Sequence, residues 1–108
     1  MRSAEIFKAL SDPLRLRLIF LLTRREELCV CHFIDVLELP QSTISRHLSQ
    51  LRHLDLVETR REGKWVYYRL SRQHEGLMDQ LLPLISQLGA SEPQLLQDAE
   101  KLPLSICK

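Results

Sequence analysis

Two of the three cysteines in this 108-residue sequence are separated by a single residue, in the short stretch ELCVC. Thiolates are soft ligands, so a pair of them can select a soft ion. Residues two apart point about 200° away from each other around a helix axis, but to the same side of an extended segment. Cys29 and Cys31 can therefore chelate one small centre only where the backbone is extended or distorted. Burial in the core is the alternative, because free cysteine is among the most buried residue types.

Size and composition describe one globular domain. The chain is 44% hydrophobic and 27% charged, as is typical of such a domain. Its longest apolar run, residues 18–22, is far shorter than the roughly 20 residues of a transmembrane helix, and the N-terminus lacks the apolar centre of a signal peptide. We therefore expect a cytoplasmic protein with no membrane partner, whose odd number of cysteines stays reduced.

Basic residues are concentrated in the centre of the chain. Residues 41–72 carry seven basic and three acidic side chains, whereas residues 73–108 carry two basic and five acidic ones. Such a basic centre favours a surface that binds a polyanion. Taken alone, the same pattern would equally describe a solvated charged surface.

Hydrophobic periodicity predicts four helices in the first half of the chain. Residues 3–10 form a first amphipathic helix, and the capping sequence Ser-Asp-Pro begins a second helix over 13–24. A short helix over 31–37 is followed by a three-residue turn and by a long helical pattern from residue 41. Two helices joined by such a turn, the second with an exposed polar and basic face, describe a helix-turn-helix.

The N-terminal residues of a recognition helix reach the edges of DNA bases. Arg46 is suited to a bidentate contact with guanine, and a phosphate contact is the alternative. The apolar stripe that this helix is expected to bury consists of Ile44, Leu48 and Leu51. His47 lies beside this core stripe, so we expect it to be partly packed and to touch a phosphate. The residues of this helix expected to contact DNA are Gln41, Ser42, Thr43, Ser45, Arg46 and His47.

Two strand-like runs, over 56–60 and 64–70, follow the recognition helix. Gly63 supplies the positive φ that a hairpin turn favours between them, and the aromatic and β-branched residues of the second run suit a strand. This hairpin describes a wing, and its basic tip is expected to contact DNA phosphates through Arg60, Arg61 and Lys64.

The leucine-rich pattern over 73–88 has more apolar surface than so small a domain can bury. We expect a homodimer in which this helix meets its copy, with the first helix alongside. Pro83 should kink the helix or end it early. A domain over 1–90 would then bind DNA and dimerise, and a tail over 91–108 would contain a short helix around 93–101.

Four stretches in order between about residues 5 and 72 carry a family resemblance. They are FKALSDPLRLRLIFLL, ELCVC, STISRHLSQLR and GKWVYYRLS, and together they resemble the arsenical branch of the ArsR/SmtB repressors. The resemblance implies an α+β, mainly helical winged helix-turn-helix protein with a two-stranded β-hairpin wing, dimerising through its terminal helices. It also implies repression from an inverted-repeat operator in double-stranded DNA until a metal or metalloid ion lowers the affinity.

The same resemblance implies As(III) or Sb(III) as the inducer, with no organic cofactor and with Cys29 and Cys31 as ligands. Trivalent arsenic prefers three sulfurs, and Cys107 is the candidate for the third, from the same subunit or from the other one of the dimer. The best-known arsenical sensors carry an aspartate and a third cysteine where this sequence has His32 and Ile34. We expect His32 to be a surface residue, because arsenic prefers sulfur to nitrogen.

Ligand binding would have to reshape the start of the short helix if that helix begins at Cys31 in the free protein. The change would pass along the short helix to the recognition helix. The start of the short helix would then have two conformations, one favoured by the metalloid ion and the other by DNA. A coupling of roughly 1–3 kcal/mol would change DNA affinity about 5- to 150-fold.

Other functions stay open at this point. A Zn(II)- or Cd(II)-responsive repressor would need more ligands than this stretch offers, and a redox-responsive one would need a resolving thiol. Cysteines two apart are poorly placed for an unstrained disulfide with each other. A constitutive DNA-binding module with inert cysteines is a further alternative. We do not expect an enzyme, since the sequence has no CxxC in a βαβ pattern, no glycine-rich phosphate loop and no acid–base constellation.

Overall fold

The computed structural model of the protein describes residues 1–72 and 76–105. Single turns of 3₁₀ helix follow the last two α-helices, at Leu88–Ala90 and Leu102–Leu104. The α-helices and strands are, in chain order, α1 (Arg2–Leu10), α2 (Pro13–Arg24), β1 (Leu28–Cys29), α3 (Val30–Leu37), α4 (Gln41–His53), β2 (Val57–Glu62), β3 (Trp65–Leu70), α5 (Gly76–Gln87) and α6 (Pro93–Lys101).

This mainly helical α+β architecture with a β-hairpin confirms the predicted winged helix-turn-helix. The core stripe of α4 is as the periodicity predicts, because Ile44, Leu48 and Leu51 are fully buried. They pack in one cluster with apolar side chains of the other helices, among them Phe20 and Phe33. The core thus fixes α4 with its polar face outward.

The sheet has one strand more than the predicted hairpin. Its order is β1-β3-β2, with both pairs antiparallel. β2 and β3 form the hairpin, and Gly63 turns the chain between them with φ +61°. β1 pairs with the other edge of β3, so that Cys29 lies opposite Tyr67. The segment directly before the short helix is therefore extended, and it is built into the sheet of the wing.

The second helix begins at the predicted cap. The Asp12 carboxylate accepts hydrogen bonds from the backbone N–H groups of Leu14 and Arg15, at 2.9 and 3.2 Å, and Pro13 occupies the first helical position. The Asp12 carboxylate thus satisfies two N–H groups that would otherwise lack a partner at the helix start, and Pro13 has no N–H group that needs one.

Of the two effects expected of Pro83, a kink or an early end of the helix, the early end is not observed, because α5 continues through Pro83 to Gln87. The helix expected around 93–101 is present as α6, which packs against α2 and α3. Asp98 on α6 is fully buried and forms a bidentate ion pair with Arg17 of α2, with N–O distances of 2.8 and 3.0 Å. Within the described part of the chain, no helix combines the length and apolar character needed to cross a bilayer.

Candidate functional site

The turn between α3 and α4 is formed by a residue in the left-handed conformation and by a proline. Glu38 ends α3 in the left-handed conformation, with φ 55°, and its N–H donates to the Ile34 carbonyl at 2.9 Å. Pro40 follows, and its carbonyl accepts from the N–H groups of Thr43 and Ile44 to start α4. The three residues 38–40 thus form the predicted turn of the helix-turn-helix.

The predicted DNA-contacting residues of α4 lie together at its N-terminal end, away from the buried stripe. Gln41, Ser42 and Arg46 are exposed, whereas Thr43 and Ser45 are half-buried. In the part of the chain that the structure describes, no ion pair is recorded for Arg46. This face can offer hydroxyl, amide and guanidinium donors to DNA.

His47 is half-buried and lies between α4 and α2. Its Nδ1 is 3.3 Å from the Arg15 guanidinium, which also donates to Gln50. Burial lowers the pKa of His47; the nearby Asp12 carboxylate raises it, while Arg15 and Arg46 lower it further. His47 therefore joins the two helices, in agreement with the partial packing expected for it.

The wing carries the three predicted cations in different environments. Arg60 is 2.5 Å from Glu27 and 2.6 Å from Glu62, and its guanidinium lies 4.5 Å from the centre of the Tyr67 ring. These contacts raise the pKa of Arg60, and the hydrogen bond from Arg60 lowers the pKa of Glu27. Within the described residues, Arg61 has no recorded ion pair.

The third cation, Lys64, lies 5.5 Å from the centre of the Trp65 ring. Two other basic residues of this region pair with acidic residues from earlier in the chain. Arg72 pairs with Glu26 at 3.5 Å, and Arg60 pairs with Glu27. These pairs compensate part of the excess positive charge of residues 41–72. The sequence count overstates the positive charge that the folded wing presents.

Cys29 and Cys31 lie on either side of the junction between β1 and α3. Cys29 is the N-cap of α3, with extended dihedral angles, and its sulfur accepts the backbone N–H of His32. In return, Nδ1 of His32 accepts the backbone N–H of Cys29 at 3.1 Å. The helix begins at Val30, one residue before the predicted start, so Cys31 lies in its first turn.

The two sulfurs differ in state and exposure. Cys29 is a free thiol and only 2% exposed. Cys31 is half-buried and disulfide-bonded, so the expectation that all the cysteines stay reduced is wrong for this structure. Cys107, the predicted third ligand, lies outside the described residues. Within residues 1–72 and 76–105, no group of three or more histidine, cysteine, aspartate or glutamate side chains is placed to hold a metal ion.

The last described residues of the chain lie against α3. Ser105 donates to the Asp35 carboxylate at 2.8 Å, and Lys101 forms an ion pair with Glu38 at 2.5 Å. This ion pair lowers the pKa of Glu38. Asp35 is four residues from Cys31, so the two side chains share one face of α3. The C-terminal segment therefore reaches the helix that carries Cys31.

A cleft of about 180 Å³ opens beside the two cysteines. It lies where α3, the start of α4 and the tip of the wing meet. Besides the cysteines, its lining residues are Val30, Ile34, Gln41, Lys64, Trp65 and Val66. The two cysteines, the predicted recognition helix and the wing thus share one cleft.

Three features of the structure were not predicted from the sequence. The pairing of Glu27 with Arg60 joins residues 33 apart, and nothing local in the sequence marks it. The capping role of His32 departs from the usual Ser/Thr-x-x-Glu pattern. The burial of Asp98 had a signal, because Leu95, Asp98 and Leu102 share one helical face.

Comparison with known proteins places this geometry in a family. Residues 12–59 match the family model described as "Bacterial regulatory protein, arsR family". The arsenic resistance transcriptional regulator ArsR1 of Pseudomonas putida is 42% identical over 97 residues, which span 90% of this chain and 74% of that protein. The chain belongs to the ArsR family.

Other members show the range of the family. A cadmium resistance transcriptional regulatory protein CadC homolog of Staphylococcus aureus is 42% identical over 68% of this chain and 61% of that protein. The structure of HlyU from Vibrio cholerae superposes with a TM-score of 0.73 at 32% identity, covering 83% of this chain and 94% of HlyU. The family consists of transcriptional regulators, which are not enzymes, and this ArsR-family protein shares their winged-helix fold.

Proposed function

We propose that this protein is a homodimeric, cytoplasmic repressor that releases its operator when Cys29 and Cys31 bind As(III) or Sb(III), with Cys107 as a third ligand. The observation that carries the proposal is the position of the two cysteines. Cys29 belongs to β1, which pairs with the wing strand β3, and Cys31 lies in the first turn of α3. Cys29 is thus built into the sheet of the wing, and Cys31 into the helix that precedes the predicted recognition helix α4.

Chelation by this pair requires a local change of conformation. With Cys29 extended and Cys31 helical, the two side chains leave the backbone in different directions. To bring both sulfurs to one centre, residues 30 and 31 must leave the helical conformation, which disturbs the mutual cap between Cys29 and His32. Loss of such a cap costs about 1 kcal/mol. The first turn of α3 is therefore the two-state element that ligand and DNA bias in opposite directions.

The operator contacts are assigned to the exposed N-terminal part of α4 and to the wing. We assign base and phosphate contacts to Gln41, Ser42, Thr43, Ser45 and Arg46, and phosphate contacts to Arg61 and Lys64. His47 and Arg60 contribute less, because each is already engaged with side chains of this chain.

Dimerisation is assigned to α1 and α5, the first and fifth helices. Phe7 on α1 is 52% exposed and Leu84 on α5 is 54% exposed. Leu77 and Leu81 on the same helix are only half-buried, whereas Met78 and Ile85 face the core. A second copy that covers these faces would place two α4 helices on an inverted-repeat operator.

Cys107 is assigned as third ligand from the path of the C-terminal segment. Ser105 is bonded to Asp35 on α3, and two further residues can extend the chain by about 7 Å. Side chains four apart on a helix, such as Cys31 and Asp35, lie about 5–6 Å apart at their Cβ atoms. A sulfur at position 107 is therefore within reach of Cys31 in the same subunit.

Operator release measured by fluorescence anisotropy tests the proposal. The probe is a labelled duplex selected by the protein from random-sequence DNA, and the protein is kept reduced with a phosphine that contains no thiol. Arsenite should release the wild type, while Cys29→Ser and Cys31→Ser should stay bound and Cys107→Ser should need more arsenite. If the wild type holds the duplex at every concentration of arsenite and antimonite, the proposal is wrong.

A redox-responsive repressor is the second candidate function, favoured by the disulfide-bonded state of Cys31. Its resolving thiol would be Cys107, by the same path of the chain. Titration of the reduced protein with a disulfide oxidant separates the two functions. Release that requires Cys31 and Cys107 but not Cys29 indicates redox sensing, whereas a metalloid sensor requires Cys29.

A further inference from the structure

One arginine of α2 joins the first helix to the predicted recognition helix. Nε of Arg15 donates to the Ala9 carbonyl near the end of α1 at 2.8 Å. The residue four positions after Ala9 is Pro13, which has no N–H group, so this carbonyl takes its partner from outside its own helix. The guanidinium of Arg15 also lies 3.3 Å from Nδ1 of His47 and donates to Gln50, and both of these residues belong to α4. A single side chain of α2 thus bridges α1 and α4.

A second arginine makes a similar contact at the C-terminal end of α4. Arg2, at the start of α1, donates to the carbonyl of Leu54 at 2.5 Å, and Leu54 is the C-cap of α4. A cation is favourable at this end of a helix, because the last carbonyls lack partners within the helix. The recognition helix is therefore tied to α1 at its end as well as through Arg15.

A cleft of about 640 Å³ adjoins both contacts. Residues of α1, α2 and α4 line it, and they include Ala9, Arg15, Gln50 and Leu54. Interlocking side chains normally fix the angle between packed helices, and across an open cleft the side chains do not interlock. Along this cleft, hydrogen bonds from arginine hold α4 to α1.

We propose that Arg15 and Arg2 are positioning residues that hold the recognition helix at a fixed place relative to α1, and that they thereby set the half-site spacing that the dimer accepts. This inference rests on the proposed function, which assigns α1 to the dimer interface and α4 to the operator. One added base pair rotates a half-site by about 34° around the duplex. A dimer whose α4 helices are held on α1 can follow this rotation only by loosening these contacts, so neither arginine needs to touch DNA.

Anisotropy titrations of the reduced full-length protein with duplexes of different half-site spacing test this inference. The probes are the inverted-repeat duplex selected from random-sequence DNA and two copies of it, with one base pair added to or removed from the spacer. The wild type should prefer the selected spacing by about ten-fold or more, comparable to the effect of one mismatched base pair. Arg15→Met should lower this preference several-fold, because its two recognition helices can move to follow the half-sites.

Matched variants separate positioning from loss of charge and from direct contact with phosphate. Arg25→Met removes the same charge from an exposed position at the end of α2 and should keep the preference. Arg15→Lys keeps the charge but replaces the planar, forked donor by a single ammonium group, so it should behave like Arg15→Met. The slope of log K against log salt should be unchanged in Arg15→Met, because a residue that only positions α4 neutralises no phosphate.

Arg2→Met, at the first residue of α1 and outside the apolar core, should also lower the preference, and it provides the test if Arg15→Met does not fold. The inference is overturned if the folded variants keep the wild-type preference, if Arg15→Lys matches the wild type, or if the salt slope of Arg15→Met falls by about one. Where the wild type is a dimer that arsenite releases and only the spacing result fails, the proposed function stands. A wild type that sediments as a monomer overturns both.

Discussion

The sulfur of Cys29 caps α3 and is also a proposed ligand of the metalloid ion. A thiol is an uncommon N-cap, because serine, threonine, aspartate and asparagine are the preferred residues. The cap here is supported by His32, which accepts the N–H of Cys29. Ligand affinity and the stability of the helix start are therefore set by the same few atoms.

Replacing His32 tests this support. We expect His32→Ala to lower the free energy of unfolding by about 0.5–2 kcal/mol, the usual cost of losing a capping partner, as measured by urea unfolding of the reduced protein. His53→Ala, at an exposed position of α4, is the matched control and should change little. Equal stability of the two variants would contradict a capping role for His32.

Two neighbouring arginines in the wing should differ in their effect on DNA binding. Arg61→Gln should reduce the slope of log K against log salt by about one, as expected for a lost phosphate contact. Arg60→Gln should change this slope less, because Glu27 and Glu62 already engage its guanidinium. Anisotropy titrations at several salt concentrations measure both slopes, and a larger loss for Arg60→Gln would reverse the assignment.

At the scale of elements, α6 is held to α2 by a buried charge. Asp98 is fully buried, and Arg17, its partner, is 20% exposed at the side chain. Gln94 also donates to Asp98, at 3.1 Å. A buried charge that loses its partner is strongly destabilising, so this contact fixes where the C-terminal segment meets α3.

Removal of one partner of this ion pair should therefore be costly. We expect Arg17→Met to lower the free energy of unfolding by about 3 kcal/mol, since it leaves the Asp98 carboxylate buried without its ion-pair partner. The double variant Arg17→Met with Asp98→Leu should recover most of this loss. Chemical denaturation of the wild type, the two single variants Arg17→Met and Asp98→Leu and the double variant gives the comparison, and additive losses in the double variant would show that the pair is not coupled.

At the scale of the whole molecule, the proposed dimer should depend on exposed apolar residues of α1 and α5. Leu84→Glu should shift the protein to a monomer in sedimentation velocity and weaken binding to a duplex with two half-sites by at least ten-fold. Leu104→Glu, at a more exposed position outside these helices, should leave both properties unchanged. A dimer that persists in Leu84→Glu would place the interface elsewhere.

Local patterns in the sequence were sufficient to predict most of the fold. The stripe of Ile44, Leu48 and Leu51 and the turn at Gly63 are determined by residues near each other in the chain, and both were predicted. The pairing of β1 with β3 was not, because a two-residue strand has no periodicity and its partner is about 40 residues away. The same limit applies to the compensation of Arg60 by Glu27, which a count of charges along the chain cannot show.

Hydrogen exchange of individual amides, measured by NMR on the reduced protein with and without arsenite, tests the central claim most directly. If metalloid binding at the cysteines disturbs the start of α3, arsenite should speed the exchange of the His32 amide, which Cys29 caps, and of the amides that pair β1 with β3. Amides in the middle of α4, such as those of Leu48 and Leu51, should keep their protection. Operator release without any change at His32 or in β1 would contradict the claim that the start of α3 is the switch.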